Sequence, residues 1–113
     1  MKIKESRLGE YHFLEVFTYV DVYNCNELKK IIDAVIELKR DNLAISLHEN
    51  NEHMDSSVIS AMISAHKKVT ASGYKFAIIV EKDELVDLLS FAGLKDYFQI
   101  YRSAEEVEET AYL

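Results

Sequence analysis

An aspartate followed by two serines is the feature of this chain whose residue types and spacing best suit chemistry. The segment Met54-Asp55-Ser56-Ser57 precedes a run with helical periodicity, and Asp55 is suited to cap the first turn of that helix. Ser57 then lies in the first turn, where the helix dipole favours a negative group such as a phosphate. The local pattern is compatible with two interpretations, a simple helix cap or a regulatory phosphoacceptor at Ser57.

The helix that follows this segment has two different faces. At about 100° per residue, one face carries the apolar residues Val58, Ile59, Met62, Ala65 and Val69. The other face carries small or charged residues, namely Ser57, Ser60, Ser64 and Lys68. We expect the apolar face to be buried. Ser57 is then expected to be exposed, beside a low and accessible surface of serines.

Alternating strand and helix patterns predict the α/β domain that positions this helix. The predicted strands are a first hairpin strand before a turn at residues 7–10, then residues 11–17, 43–47, 76–80 and 98–101. The predicted helices run from Asn24, a cap paired with Glu27, to about Arg40, from 56 to 71, from 83 to 91, and onward from Ser103, a cap paired with Glu106. The order β-β-α-β-α-β-α-β-α predicts a mostly parallel sheet with an antiparallel N-terminal edge strand. We expect a single domain over residues 1–113.

Composition limits the class of partner. The 113 residues include 13 basic and 20 acidic side chains, for a net charge of −7, so nucleic acid is not an expected partner. Residues 103–113 hold four glutamates and no basic residue, and this terminal helix therefore carries −4 of that charge. Cys25 is the single cysteine, which excludes an internal disulfide. No apolar run reaches the roughly 18 residues of a membrane-spanning helix, and we expect a cytoplasmic protein without membrane insertion.

The other candidate sites have weaker patterns. His48 and His53 flank two glutamates, but a spacing of five residues does not place two metal ligands on one helical face. His66 is a candidate base for Ser57 in a hydrolytic enzyme, although the helical wheel puts them on different faces; a histidine packed at the edge of the core is the simpler interpretation. The chain also lacks a glycine-rich phosphate loop. We expect no cofactor and no metal.

Three groups of segments, in order along the chain, resemble one family. Residues 16–24 resemble a strand followed by an aspartate, Asp21, and a helix-capping residue, Asn24. Residues 43–47, followed by Met54-Asp55-Ser56-Ser57, resemble a strand and an Asp-Ser-Ser signature. Residues 88–94, 98–101 and 103–106 resemble a closing Gly-Leu, a strand and an acidic helix. Over nearly its whole length the chain resembles a STAS domain, the fold of bacterial anti-sigma-factor antagonists.

The resemblance implies a partner switch controlled by phosphorylation. The unmodified protein would bind an anti-sigma factor that is also the serine kinase, Ser57 would be the phosphoacceptor, and a metal-dependent phosphatase would reverse the modification. Asp55 matches the conformation-setting aspartate of the family, and Asp21 matches the aspartate of the neighbouring loop. The expected signature and partner-binding residues are Asp21, Asn24, Asp55, Ser56, Ser57, Ser60 and Ser64. The domain would have no catalytic activity of its own.

One difference from the family pattern motivates an alternative. The family usually has Gly-Leu-Gly after the two serines, where this chain has Val58-Ile59-Ser60. A glycine permits close approach of another backbone, so its loss favours a STAS scaffold or an accessory subunit of a signalling or transporter complex, without phosphorylation. A third hypothesis is an enzyme that uses Ser57 and His66.

Overall fold

Five strands of the residues that the structure describes form one sheet, which supports the helices. The structure is a computed structural model that describes residues 1–50, 53–91, 93 and 97–110. The strands are β1 (Ile3–Leu8), β2 (Tyr11–Val16), β3 (Asn42–Leu47), β4 (Phe76–Ile79) and β5 (Gln99–Tyr101), and they lie side by side in that order. β1 is antiparallel to β2, and the other neighbouring pairs are parallel. The predicted sheet with its antiparallel edge strand is confirmed.

Helices alternate with the parallel strands in the described part of the chain. They are α1 (Cys25–Lys39), α2 (Ser56–Ala71), α3 (Asp83–Phe91) and α4 (Ala104–Thr110), and a short 3₁₀ turn (His48–Asn50) follows β3. The predicted element order is confirmed, and the bounds of β2 to β5 differ from the predicted ones by one residue. The first turn is tighter than predicted. β1 continues to Leu8, so Gly9 and Glu10 alone connect it to β2, and Gly9 adopts the positive φ of 58° that this turn requires.

Side chains alternate between the two faces of the sheet, and helices cover both faces. Leu14 and Ile45 lie in a buried cluster that also contains residues of α1, α2 and α3. The preceding residues in the strands, Phe13 and Ala44, lie in a second buried cluster with Val107 of α4. The central strands are therefore buried on both sides, which explains their continuous apolar sequence.

The predicted burial of α2 is largely confirmed. Its buried residues are Val58, Ala61, Met62, Ala65 and Val69. Ile59 is partly buried against the same cluster, and Ser60 and Lys68 are exposed as expected. Ala61 was not part of the predicted apolar face, because at about 100° per residue it lies roughly 40° beyond the edge of that face. The helix therefore turns its serine face outward along most of its length.

Competing contacts alter the predicted capping pairs. The Ser103 hydroxyl accepts a hydrogen bond from the Glu106 N–H at 3.1 Å, as expected, but the Glu106 carboxylate accepts from the Arg102 N–H at 2.7 Å instead of reaching back to Ser103. Glu27 forms an ion pair with the terminal amine of Met1 at 3.2 Å, so it does not close a capping box at the start of α1. A distant partner therefore replaces the predicted contact at α1, and the neighbouring Arg102 N–H replaces it at α4.

Some predictions lie outside the described residues. They concern Asn51 and Glu52 between His48 and His53, Ala92 and Leu94 of the segment 88–94, and residues 111–113 of the terminal helix. Among the helices of the described residues, none is long and apolar enough to cross a membrane.

Candidate functional site

Two loops meet at one edge of the sheet and form the candidate site. β2 and β3 are parallel neighbours, and Val16 at the end of β2 pairs with Leu47 at the end of β3. The loops that follow must therefore leave from the same edge, where ligand and partner sites of parallel sheets usually lie. We call residues 17–24, between β2 and α1, the tyrosine loop. Residues 48–50 and 53–55, between β3 and α2, are the cap loop.

Asp55 ends the cap loop and caps α2. Its carboxylate accepts hydrogen bonds from the N–H groups of Ser57 and Val58, both at 3.1 Å, and from the Ser57 hydroxyl at 2.5 Å. The Ser57 hydroxyl is the main cause that holds the pKa of Asp55 below its ordinary value, and the Val58 N–H adds to the effect. The backbone of Val22, in the tyrosine loop, acts in the same direction. Asp55 is thus a charged acceptor that contacts both the first turn of α2 and the tyrosine loop.

Ser57 is half-buried, whereas the helical wheel predicted an exposed side chain. The wheel places Ser57 on the outer face correctly, but it does not include Asp55. This cap residue covers the first turn and accepts a hydrogen bond from the Ser57 hydroxyl. A hydroxyl that donates to a carboxylate keeps its oxygen lone pairs available for an incoming phosphoryl group. Because the pKa of Asp55 is lowered, this carboxylate is a weak base, and its main effect is to orient the hydroxyl.

Side chains of the tyrosine loop hold it in one conformation. Asp21 accepts the N–H of Tyr23 through its carboxylate at 2.9 Å, and its own N–H donates to the Asn24 side chain at 2.9 Å. The Asn24 amide also donates to the Tyr19 carbonyl at 2.9 Å. Asn24 occupies the predicted N-cap position of α1, but its side chain makes no cap hydrogen bond there, so only the predicted side-chain contact is wrong. The structure brings Asp21 and Asn24 to the site, where they brace the loop.

The braced loop exposes a cluster of apolar side chains that the sequence analysis missed. Tyr19, Val22 and Tyr23 are 42%, 60% and 93% exposed. Three large apolar residues within five positions form a patch rather than isolated exposed residues, and tyrosine is common at the centres of protein interfaces. The sequence signal that could have revealed this cluster is an apolar segment whose residues repeat neither every two positions, as in a strand, nor every 3.6 positions, as in a helix.

Asn50 is a second residue that sequence reasoning missed. It is fully buried, and its side chain exchanges two hydrogen bonds with the backbone of Val20, accepting at 2.9 Å and donating at 2.8 Å. It also donates to the His53 carbonyl at 3.1 Å. In the sequence Asn50 belongs to the polar residues 48–53, which are typical of a solvent-exposed loop, and no local signal marks its burial.

The remaining signature serines extend along the outer face of α2. Ser56 and Ser60 are exposed, and Ser64 is partly exposed. At the far end of this face Lys68 forms an ion pair with Asp33 of α1 at 2.6 Å. The structure therefore brings Ser57, Ser56 and Ser60 to the start of the helix beside the tyrosine loop, while Ser64 lies nearly two turns further on.

His66 belongs to another part of the molecule. Its ring centroid lies 4.5 Å from that of Tyr97, 5.7 Å from that of Phe98 and 6.0 Å from that of Phe76, and burial lowers its pKa. A separation of nine residues along α2 corresponds to about 13 Å, and the Ser57 hydroxyl is bound to Asp55. The structure contradicts the hypothesis that Ser57 and His66 act as a catalytic pair.

The two histidines near the cap loop also have separate surroundings. His48 stacks on Phe17 with 4.6 Å between ring centroids, and its Nε2 lies 3.1 Å from the Glu15 carboxylate. His53 is exposed and contacts Asn50 through its backbone. Across the described residues, no group of three or more His, Cys, Asp or Glu side chains is arranged to hold a metal ion.

Comparison with known proteins gives a consistent family and fold. The family model for the STAS domain matches residues 8–107. Similar solved structures include an anti-sigma-factor antagonist (STAS) domain protein from Planctomyces limnophilus, with a TM-score of 0.81 and 14% identity over 98% of both chains. A putative anti-sigma factor antagonist from Thermotoga maritima has a TM-score of 0.79 and 16% identity over 98% of this chain and 95% of that one.

The Bacillus cell fate determinant SpoIIAA in its phosphorylated form is also similar, with a TM-score of 0.64 and 15% identity over 96% of this chain and 99% of that one. At such identities these likenesses concern the fold. No curated protein matches the chain in sequence.

Proposed function

Because the chain belongs to the STAS domain family, we propose that it is an anti-sigma-factor antagonist that phosphorylation of Ser57 switches off. Its partner is an anti-sigma factor with serine-kinase activity, and a metal-dependent phosphatase restores the unmodified form. The observation that carries this proposal is the Ser57 hydroxyl, which Asp55 orients beside the exposed tyrosine loop. The structural relatives described as anti-sigma-factor antagonists support the same partner class.

The unmodified site suits a protein partner. Val22 and Tyr23 supply exposed apolar area that a partner can cover, and their loop is already braced by Asp21 and Asn24. A braced loop loses little conformational freedom on binding, which favours affinity. The serines at the start of α2 have small side chains, so a partner can approach this part of the helix closely. In this role the domain is a binding module in the cytoplasm, and its partners supply the catalysis.

Phosphorylation of Ser57 would change this surface by charge. A phosphate carries about −1.5 to −2 at neutral pH, and it would replace the hydroxyl that now donates to the ionised Asp55. Since like charges repel, we expect the phosphate to turn away from Asp55 toward solvent and toward the face that the partner covers. The added charge then opposes docking without unfolding the domain.

The direct test is phosphorylation by a candidate anti-sigma-factor kinase with ATP, followed by intact mass. We expect one phosphate on the wild type and none on Ser57→Ala. Ser60→Ala is the matched control, because Ser60 is an exposed serine on the same helix, and it should gain one phosphate like the wild type. Equal phosphorylation of the wild type and Ser57→Ala would remove Ser57 from this role.

A constitutive scaffold or accessory subunit is the second candidate function. The half-buried Ser57 favours it, because partial burial restricts access of a kinase to the hydroxyl, and the Val58-Ile59-Ser60 sequence lacks the glycines of the family's usual Gly-Leu-Gly. Pull-down of the partner with Ser57→Asp separates the two candidates. A switch predicts loss of binding, whereas a scaffold predicts that the partner is retained.

A further inference from the structure

We propose that Asn50 is a positioning residue that joins the tyrosine loop and the start of α2 into one docking surface. This inference rests on the proposed function, because docking is the activity that such a surface serves. Asn50 is fully buried, so it does not touch a partner itself. Its effect on binding must pass through the residues that it holds.

The first connection leads to the tyrosine loop. The Asn50 side chain pairs with both backbone polar groups of Val20, at 2.9 and 2.8 Å. Val20 is itself buried, so water cannot readily replace these partners. Removal of the amide would leave a buried N–H and a buried carbonyl unpaired, which is more costly than the loss of an exposed hydrogen bond. Movement of the loop would relieve this cost, and Tyr19 and Val22 would move with it.

The second connection leads to the cap of α2. The same side-chain nitrogen donates to the His53 carbonyl at 3.1 Å, and the His53 N–H donates to the Asn50 carbonyl at 3.3 Å. His53 precedes Met54, which is buried, and Asp55, which orients the Ser57 hydroxyl. One buried amide therefore contacts the backbone on both sides of the site.

The arrangement separates two roles within the site. Asp55 orients the reacting hydroxyl, whereas Asn50 sets the position of the apolar loop relative to that hydroxyl. Loss of Asn50 should weaken docking of the kinase and leave the chemistry at Ser57 nearly unchanged once the kinase is bound. In kinetic terms KM rises and kcat is retained. A smaller folded fraction of the substrate would also raise KM, so a destabilised variant with both loops intact is the necessary control.

The test compares Asn50→Ala and Asn50→Asp with Val69→Ala. Asn50→Asp keeps the size of the side chain and an acceptor for the Val20 N–H, but it loses both donor contacts and sets a carboxylate against two backbone carbonyls. Asn50→Ser adds no buried charge and serves if the other two variants do not fold. Val69 is buried near the other end of α2, so its truncation lowers stability without touching either loop. Each variant is assayed for partner affinity, for KM and kcat of Ser57 phosphorylation, and for amide hydrogen exchange without a partner.

We expect the Asn50 variants to raise KM and Kd about tenfold while kcat stays within about twofold, and to speed exchange at the Tyr23 amide. Val69→Ala should leave Kd, KM and Tyr23 exchange near wild-type values. Wild-type Kd and KM in the Asn50 variants, or an equal rise in Val69→Ala, would overturn the role of Asn50. A wild type that neither binds nor accepts phosphate would instead overturn the proposed function, and hydrogen exchange would still report whether Asn50 joins the two loops.

Discussion

At the scale of single residues, one carboxylate governs the chemistry of the site. Asp55 caps α2 and at the same time binds the hydroxyl of Ser57 at 2.5 Å. A carboxylate that accepts several hydrogen bonds is stabilised in its charged form, which explains the lowered pKa. The capping role and the proposed regulatory role therefore depend on the same atoms, and a substitution at Ser57 should be detectable at Asp55.

Ser57→Ala should raise the pKa of Asp55 toward its ordinary value of 3.8, because it removes the hydroxyl that contributes most to the lowering. A lowered folded-state pKa adds stability above the unfolded-state value, and this stability is lost as pH falls through the folded-state value. In Ser57→Ala this contribution should be smaller, and its loss should be complete at a higher pH, because the folded-state value lies closer to the unfolded-state one. NMR titration of the Asp55 carboxyl measures its pKa, and denaturant unfolding at several pH values measures the stability, with Ser60→Ala as control. An unchanged pKa in Ser57→Ala would contradict the interaction.

Tyr23→Ala should weaken partner binding by about tenfold or more while it changes the free energy of unfolding by less than about 0.5 kcal/mol. Tyr23 is the most exposed apolar side chain of the tyrosine loop, so the fold does not depend on it. Leu38→Ala is the matched control, since Leu38 is 79% exposed near the other end of α1. Calorimetric titration and denaturant unfolding separate the two effects. If Leu38→Ala weakens binding equally, the docking surface is misplaced.

At the scale of elements, α2 has different surroundings at its two ends. Its first turn is polar and carries Asp55 and Ser57, whereas His66, near its other end, packs among the rings of Phe76, Tyr97 and Phe98. Nδ1 of His66 is buried and has no hydrogen-bond partner among the described residues. The imidazole is therefore kept neutral as part of the packing, and protonation of this ring should loosen that end of the helix.

The pH dependence of stability should reveal His66. Burial lowers its pKa below the ordinary 6.5, so the unfolded chain binds more protons there than the folded chain. The free energy of unfolding therefore falls as pH falls below 6.5, because protonation of His66 favours the unfolded chain, and this loss is absent well above 6.5. His66→Phe should remove this part of the dependence. Denaturant unfolding between about pH 7.5 and 5.5 measures it; an identical pH dependence in both proteins would contradict the prediction.

At the scale of the whole molecule, stability and docking depend on different regions. Buried apolar residues on both faces of the sheet hold the helices, while the docking surface consists of loops at one edge. Loops positioned by a rigid scaffold can change their exposed side chains with little effect on the fold. The exposed residues of the tyrosine loop are therefore free to match a particular partner.

Phe13→Ala tests whether a loss of core stability leaves docking unchanged. Phe13 is buried beneath α4, in the cluster that contains Val107. Its truncation should lower the free energy of unfolding by about 3–5 kcal/mol, as measured by denaturant unfolding. At temperatures where the variant remains folded, partner affinity should stay near the wild-type value. A large loss of affinity in the folded variant would indicate that the sheet and the docking surface are coupled.

Local patterns were sufficient to predict the elements and part of the site. The alternation of strands and helices, the cap at Asp55 and the burial of Val58 all depend on residues close together in the chain, and the structure agrees with them. The placement of Ser57 in the first turn follows from the same local geometry. These features were predictable because helix periodicity and capping act over a few residues.

Only the tertiary structure decided how the site is assembled. Asn50 and Val20 are 30 residues apart, and Val22 reaches Asp55 from a different loop. Such partners meet because β2 and β3 are parallel neighbours whose loops leave the same edge of the sheet. Asn24 differs, because its side chain binds Asp21 and Tyr19 within its own loop instead of the first turn of α1, and these contacts are local. Hydrogen-bond partners across two loops depend on strand pairing, and no local pattern in the sequence encodes them.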